Sequence, residues 1–549
     1  MKNQYRWLTE SSQVFLERDY LEGGQTVDQR VDEICAAAEK TLNKPGFAKA
    51  FKENIEKGWY SLSTPIWTNY GNDRGLPISC FGSYMSDDTA SIALTHAEVM
   101  MMTKHGGGTS AFFGSLRGRG EKIRKNGESS GSVHFMQLFD LVINIVSQGR
   151  TRRGNFAAYL NIDHKDIMEF LAIRSEGNAI QDLSFGVVVP DAWMTDMIAG
   201  DKDKRKVWAR VLECRSNTGF PYIMFGDTVN NNTVDCYKDK NLRITHSNLC
   251  SEIMLPDNDE ESFVCDLSSM NIFHYDEWKD TNAVQLLAYF LDAVMEEFIE
   301  KASKIEFLHR AVRFAKRHRA LGIGWIGWHS FLQSKSIAFE SMEAKLLNVE
   351  VAKRIKTEAY AASEQMAKEY GEPEVLEGYG RRNTTLLAIA PTKSSAFILG
   401  QVSEGIEPHR TNHYIKDLQK GKFTVKNAQL EEVLEKKGKN TTEVWTNILK
   451  AGGSVQHLDF LSEHEKNVFK TFAEISPKEI IIQASARQKF IDQSQSLNLM
   501  IHPSIPIKDV NALIIEAWQL GVKSLYYQIS VNAAQAFSRN ILSCASCES

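Results

Sequence analysis

Between Val27 and Leu42 the apolar residues Val31, Ile34, Cys35 and Ala38 recur three and four positions apart, which predicts an amphipathic helix with one buried face. The same helical character runs through residues 1–58, a segment placed to cap or lead into the domain that follows. From Trp59 onward the pattern changes. Short apolar runs such as Phe185-Gly-Val-Val-Val-Pro190 alternate with longer helical stretches such as Leu286 to Ile305, as in an α/β domain whose helices and strands share one core. The stretch from Lys416 to Lys450 is rich in Lys and Glu and shows no clear apolar stripe, so it is predicted as a solvated excursion from that core. Toward the end, Val510, Leu513, Ile514 and Ala517 mark one helix face, Gly521 suits its C-terminal cap, and Lys523 to Ser530 reads as a buried strand. No internal repeat or low-complexity linker interrupts the series.

At 549 residues the chain calls for several domains or one large α/β barrel, because a single core stops growing comfortably well below that length. With 43% hydrophobic and 24% charged residues and a formal charge of −5, the composition is that of an ordinary soluble protein. It implies no broad attraction to nucleic acid or membrane. The N-terminus lacks the apolar core of a secretory signal, and no uncharged apolar run is long enough to cross a bilayer, so a cytoplasmic location is expected. Eight cysteines, at 35, 80, 214, 236, 250, 265, 544 and 547, are few and scattered, unlike a secreted disulfide scaffold.

Two of them, Cys544 and Cys547, form a Cys-x-x-Cys pair on the polar chain end Ile541 to Ser549. A dithiol on such a tail can close to a disulfide and reopen by exchange with two different partners; it can also be half of a zinc site or simply inert. Gly322-x-Gly324-x-x-Gly327 matches a dinucleotide fingerprint, but it follows the basic run Arg313 to Arg319 rather than an apolar strand, so close helix packing accounts for it better. The glycine-rich stretch from Gly106 to Gly131 carries Arg117, Arg119, Lys122 and Arg124, a composition suited to an anion or to a mobile basic loop. Pro391-Thr392-Lys393-Ser394-Ser395 offers three hydroxyls where a phosphate could meet a helix N-terminus, or a plain N-cap. His409 and His413 have the spacing of a helical metal pair, but no carboxylate motif completes a site, and no metal is assigned.

In Ser247-Asn248-Leu249-Cys250-Ser251-Glu252 an amide, a thiol and a carboxylate alternate, so they share one side if the segment is extended. Cys250 could then act as a nucleophile or hydrogen-atom carrier, with Glu252 as proton acceptor and Asn248 as positioning donor; a buried structural cysteine is the competing reading.

Taken together, Asn248-Leu-Cys250-x-Glu252, Cys80, Cys265, the adjacent Tyr526-Tyr527 and the terminal cysteine pair resemble the catalytic subunit of class I ribonucleotide reductases. Thr64-Pro65, Pro391-Thr-x-Ser-Ser395, Gly405-Ile-Glu-Pro408 and Phe490-Ile-Asp-Gln-Ser494 extend the resemblance from about Ser61 to the C-terminus.

The resemblance implies a ten-stranded α/β barrel over residues 59–533 with Cys250 on a finger loop, preceded by the helical region 1–58 without an ATP-cone and followed by a redox tail at 534–549. It implies reduction of ribonucleoside diphosphates to 2′-deoxyribonucleoside diphosphates, for DNA precursor synthesis. Cys250 would become a thiyl radical and take the 3′ hydrogen, Glu252 would accept the 3′-hydroxyl proton, and Asn248 would hold the substrate hydroxyl. Cys80 and Cys265 would end as a disulfide, reduced by Cys544 and Cys547, which a thioredoxin or glutaredoxin recharges. Tyr526 and Tyr527 would carry the radical in from a metal-bearing partner subunit. Thr64, Ser79, Thr392, Ser394 and Ser395 would hold the substrate diphosphate. Asp87, Arg117 and Arg124 would bind a regulatory deoxynucleoside triphosphate or ATP, with magnesium, at a homodimer interface, and Arg152 would sit on the loop linking effector to substrate. Lys393 departs from the family pattern, standing where a relative can carry an acidic residue. Two alternatives stay open: a cobalamin-dependent reductase, which would not need Tyr526-Tyr527, and a zinc-stabilised nucleotide-binding scaffold.

Overall fold

Three helices open the chain, Glu10–Asp19, Val27–Leu42 and Phe47–Glu56. The second has the predicted bounds: Thr26 and Gln29 form a capping box at its start, Asn43 ends it in the left-handed conformation, and Val31, Ile34, Cys35 and Ala38 are buried. The computed structural model describes residues 4–78, 80–125, 127–146, 154–418 and 421–530. Of the expected site residues, Ser79, Arg152, Cys544 and Cys547 lie outside these.

Thirteen strands follow: β1 Tyr60–Leu62, β2 Cys80–Tyr84, β3 Gly108–Phe112, β4 Phe156–Asn161, β5 Ser184–Val189, β6 Tyr222–Phe225, β7 Phe263–Asn271, β8 Leu321–Ile326, β9 His413–Leu418, β10 Gly421–Lys426, β11 Leu499–Ile501, β12 Ser524–Leu525 and β13 Gln528–Ser530. Nine of them form the main sheet, in which β2 to β6 run parallel in sequence order. β7 lies antiparallel to β2 and parallel to β8, β1 lies antiparallel to β7, and β12 closes antiparallel on β6. Every residue of β5 and of β8 is buried, as expected of strands covered on both faces by helices.

Beyond β8 the backbone continues through two extended segments, residues 385–390 and 493–498. The Ile323 amide donates to Leu386 O (2.7 Å), Ile389 to Ser494 O (3.1 Å) and Tyr526 to Leu497 O (2.9 Å). These bonds lead from β8 round to the residues next to β12, and hence to β6, so the sheet curls about an interior. Residues 247–256 cross that interior without regular structure.

Three sequence expectations need correction. Gly322 and Gly324 belong to strand β8, not to a helix contact: a Cβ at Gly322 would meet Leu267 at 2.4 Å and the Cys265 sulfur at 3.3 Å, and one at Gly324 would meet Ala388 O at 2.7 Å. The glycines let neighbouring strands and the Cys265 thiol approach. The stretch 416–450 does contain buried structure. Leu430 and Leu434 of helix Ala428–Lys436 and Trp445 and Ile448 of helix Thr442–Lys450 join Val455, Leu458 and Phe469 in a separate small core. The predicted strand Lys523–Ser530 is split into β12 and β13, with Tyr526 and Tyr527 at the break.

The helix expected at Leu286 to Ile305 is Ala283–Ala302, and the last one is Ile507–Gln519 with Gly521 at φ +77° just beyond it. Among the described residues no helix is long and apolar enough to cross a membrane.

Candidate active site

The segment carrying Cys250 is shaped by a turn rather than by a strand. The Ser251 amide donates to Asn248 O (3.3 Å) and Ser251 has φ +65°, so the period-2 alternation expected of an extended chain does not apply. The three groups converge by another route. The Asn248 side-chain oxygen accepts from the amides of Glu252 and Ile253 (both 3.1 Å), folding the segment back over its own amide, while the Asn248 Nδ2 donates to the Cys80 sulfur (3.5 Å).

Both walls of the interior hold the turn. Tyr159 of β4 donates its hydroxyl to Asn248 O (2.8 Å); opposite, Ser496 donates to Cys250 O (2.7 Å) and Ser524 to Ser251 O (2.7 Å). Gln493 ties this wall to the redox pair, since its Oε1 accepts from the Met254 amide (3.0 Å) and its Nε2 donates to the Cys265 sulfur (3.4 Å).

Cys250, Glu252, Asn248 and Cys80 line one cleft, which is open to solvent. Glu252 is buried, and desolvation pushes its carboxyl up to about 7 although the Ser496 hydroxyl donates to it at 3.1 Å. A carboxyl so placed can take up or release a proton near neutral pH. Cys80 and Cys265 are direct register partners across β2 and β7, both in the reduced form, and burial raises the Cys265 thiol well above its ordinary value. Burial thus keeps the Cys265 thiol protonated, a hydrogen donor rather than a thiolate.

The cleft's far end is hydroxyl-rich. Thr64 opens helix Thr64–Asn69, and Ser394 and Ser395 lie in the first turn of helix Lys393–Ile398, the position foreseen for the Pro391–Ser395 motif. Thr392 stands before that turn at φ +54° and its hydroxyl accepts from the Gly405 amide (2.8 Å), which explains why Gly405-Ile-Glu-Pro408 accompanies it. Lys393 also lines the cleft and adds a cation. Sequence reasoning missed Ser63, at the N-cap of helix Thr64–Asn69, and Ser268 and Ser269 of β7, which also line the cleft; serines on a strand carry no signal until the sheet places them.

Tyr526 and Tyr527 stack closely, with ring centroids 4.2 Å apart and planes at 55°. A third tyrosine, Tyr222 of β6, was not singled out in the sequence, yet its ring centroid lies 4.7 Å from Tyr526 and 5.2 Å from Tyr527. The Arg215 guanidinium donates to Tyr526 O (3.1 Å), and Asn498, which also donates to Glu407 of the Gly405–Pro408 motif, accepts from the Tyr527 amide (3.0 Å).

Away from the cleft, the Arg117 guanidinium pairs with Asp87 at 2.5 Å and also donates to Lys122 O (3.0 Å). Arg124 lies at φ +40° in the tip of the same loop, where Lys122 and Glu128 form an antiparallel β-bridge. Helix Ser132–Ile145 follows, with Leu138, Leu141 and Ile145 exposed along one face. His409 and His413 are not on a helix: His409 shares a hydrogen bond with Ser330 (2.9 Å) and His413 of β9 with Trp445 O (2.8 Å).

Known proteins resemble this arrangement throughout the chain. The family model described as ribonucleotide reductase, barrel domain, matches residues 78–204, 196–379 and 373–528. A putative ribonucleoside-diphosphate reductase large subunit of Frog virus 3 is 36% identical over 507 residues, covering 88% of each chain. The ribonucleoside-diphosphate reductase large subunit of Invertebrate iridescent virus 3 is 32% identical over 87% of each chain. The solved alpha subunit of the Actinobacillus ureae class Id ribonucleotide reductase superposes with a TM-score of 0.93 at 51% identity, covering 99% of this chain and 100% of that one. With the barrel-domain match spanning most of the sequence and the cysteines, Glu252 and Asn248 gathered in its interior, the chain belongs to the ribonucleotide reductase family, among the large subunits that make deoxyribonucleotides.

Proposed function

We propose that the cleft reduces ribonucleoside diphosphates by a thiyl-radical route, with the following division of labour. Cys250 as a sulfur radical takes the 3′ hydrogen of the sugar. Glu252 accepts the 3′-hydroxyl proton, and Asn248 holds the adjacent hydroxyl. The 2′-hydroxyl leaves as water with a proton from the cysteine pair; Cys80 and Cys265 supply two electrons and become a disulfide, and Cys250 returns the hydrogen to C3′. The balance is one diphosphate and two thiols in, one deoxydiphosphate, one water and one disulfide out. The observation that carries this reading is the shared cleft of Cys250, Glu252, Asn248 and Cys80, with Cys265 as the register partner of Cys80.

The substrate diphosphate is assigned to Thr64, Ser79, Thr392, Ser394 and Ser395. Hydroxyls and first-turn amides suit phosphate oxygens, and Lys393 adds charge. The radical comes from a separate metal-containing subunit, as in class I enzymes, and Tyr526 and Tyr527 pass it toward Cys250; close contact of their rings supports that role. The tail over residues 534–549 delivers Cys544 and Cys547 to the disulfide and is recharged by a thioredoxin or glutaredoxin in the cytoplasm.

Asp87, Arg117 and Arg124 are assigned to a nucleoside triphosphate effector with its magnesium, and Arg152 to relaying its identity. The unpartnered apolar face of helix Ser132–Ile145, next to that loop, supports a homodimer with the effector at its interface.

The test is reduction of labelled CDP with dithiothreitol and an effector nucleotide, by the chain alone, with a class I radical subunit, and with adenosylcobalamin. Turnover confined to the radical-subunit reaction is expected. Turnover with adenosylcobalamin alone would move the protein to the cobalamin class.

A further inference from the structure

A second cavity lies where the segments 385–390 and 493–498 begin, at the opposite end from the cleft, which opens where 385–390 ends at Ala390. Lys238, Lys356, Arg381, Lys489 and Lys523 line it, against Asp235 and Asp492. Arg381 and Asp235 neutralise each other in a 2.5 Å pair. Asp492 is already occupied, accepting from the Tyr360 hydroxyl and the Leu386 amide, each at 2.8 Å. The remaining lysines have no carboxylate at ion-pair distance among the described residues.

Lys523 is the informative one. It is 1% exposed, and its ammonium, which has three N–H groups, makes one hydrogen bond, to Asp492 O at 2.6 Å. Burial, joined by the like charges of Lys356 and Lys238 and opposed by the attraction of Asp492, lowers it to about 7. Two cations facing one under-satisfied buried ammonium are an arrangement that an anion would relieve.

We propose that this cavity binds a phosphoanion through Lys523, Lys356, Lys238 and Lys489. Recognition is by phosphate rather than by a base, because Lys356 and Arg381 already engage the one aromatic ring in the lining, Tyr360, at 5.5 and 5.6 Å. Inorganic polyphosphate and the phosphates of a nucleotide share this chemistry. An arriving anion restores the proton to Lys523, so binding tightens as pH falls through about 7. The groups facing it there are Asp492, Lys356, Lys238, Tyr360, and the Arg381–Asp235 pair.

The experiment is equilibrium dialysis of labelled pyrophosphate against the full chain and against the mouth variant Lys356→Ala/Lys489→Ala, whose substrate cleft and effector site are intact, so that the difference counts this cavity alone. One further equivalent should bind, more tightly at pH 6.5 than at pH 8, and the mouth variant Lys356→Ala/Lys489→Ala should weaken it by about ten-fold or more without changing KM for CDP. Competition by tripolyphosphate and ATP separates the sources: equal potency makes the anion alone the ligand, and ATP ten-fold more potent makes it a nucleotide held by the same lysines. No binding in excess of that by the double variant, or binding equally tight at pH 6.5 and pH 8, overturns the proposal.

Discussion

Cys80 on β2 and Cys265 on β7 face each other as direct partners in an antiparallel ladder. Such partners have Cα atoms about 4.5–5.5 Å apart, inside the roughly 4.4–6.8 Å that a disulfide accepts. Without external reductant the pre-reduced enzyme should therefore form at most two rounds of product, one for each dithiol, and stop, and peptide mapping should find a new disulfide between Cys80 and Cys265. A disulfide mapped to Cys214 or Cys236 instead would contradict the assignment.

Glu252 gives a pH dependence of defined sign. Burial holds it protonated up to about 7 in the folded state, against an ordinary 4.5. Its contribution to stability is full below 4.5, is lost as pH rises through 7 while the unfolded chain ionises first, and amounts to about 3 kcal/mol. Glu252→Gln should therefore gain stability over the parent at pH 8 and little at pH 4.5 in urea unfolding. Catalysis needs the ionised form, so kcat should rise through an apparent pKa near 7 and collapse in the variant at every pH.

Asn248 does structural and chemical work with one side chain. Asn248→Ala strips the acceptor from the buried amides of Glu252 and Ile253, an expected loss of about 1–3 kcal/mol for each unmet donor. Asn248→Asp keeps the acceptor and should recover most of the stability while remaining far below parental turnover. Equal stability of the Ala variant and the parent in denaturant titrations would remove the account of the turn.

Tyr526→Phe or Tyr527→Phe deletes one hydroxyl each and keeps the ring packing of 4.2 Å. The melting temperature and CDP binding should hardly move, and turnover with the radical subunit should fall below detection. Normal turnover in either variant would reduce that tyrosine to a packing residue.

Leu141 and Ile145 are 58% and 71% exposed on the face assigned to the dimer. Leu141→Asp with Ile145→Asp should yield monomers in sedimentation velocity with effector present, whereas an unchanged dimer would place the interface elsewhere.

How far the sequence could be read depended on the range of the interaction. Val27–Leu42 was legible because its whole apolar face lies within one helix. The stretch 416–450 was not, because its buried positions are divided between two nine-residue helices, each with only two, and pack together with residues further along the chain. Gly322 and Gly324 looked like helix-packing glycines because the strand that needs them is defined by its neighbours Leu267 and Ala388.

Within the site, residue types were visible and geometry was not. Ser251 takes a left-handed conformation that no local rule assigns to serine, and it converts the expected strand into a turn. Tyr222 carried no mark of its own, since its position beside Tyr526 and Tyr527 arises only when β12 closes on β6. The family resemblance supplied the pairing of Cys80 with Cys265, and the β2–β7 register supplies its physical basis.

The most direct test of the central claim is product formation from CDP by Cys250→Ser with the class I radical subunit, an effector and dithiothreitol. The substitution changes one atom on a turn held by Asn248, Ser496 and Ser524, so CDP binding should persist. Parental CDP affinity with no dCDP formed is the predicted result; dCDP formed at a rate comparable to the parent would contradict the placement of the radical at Cys250.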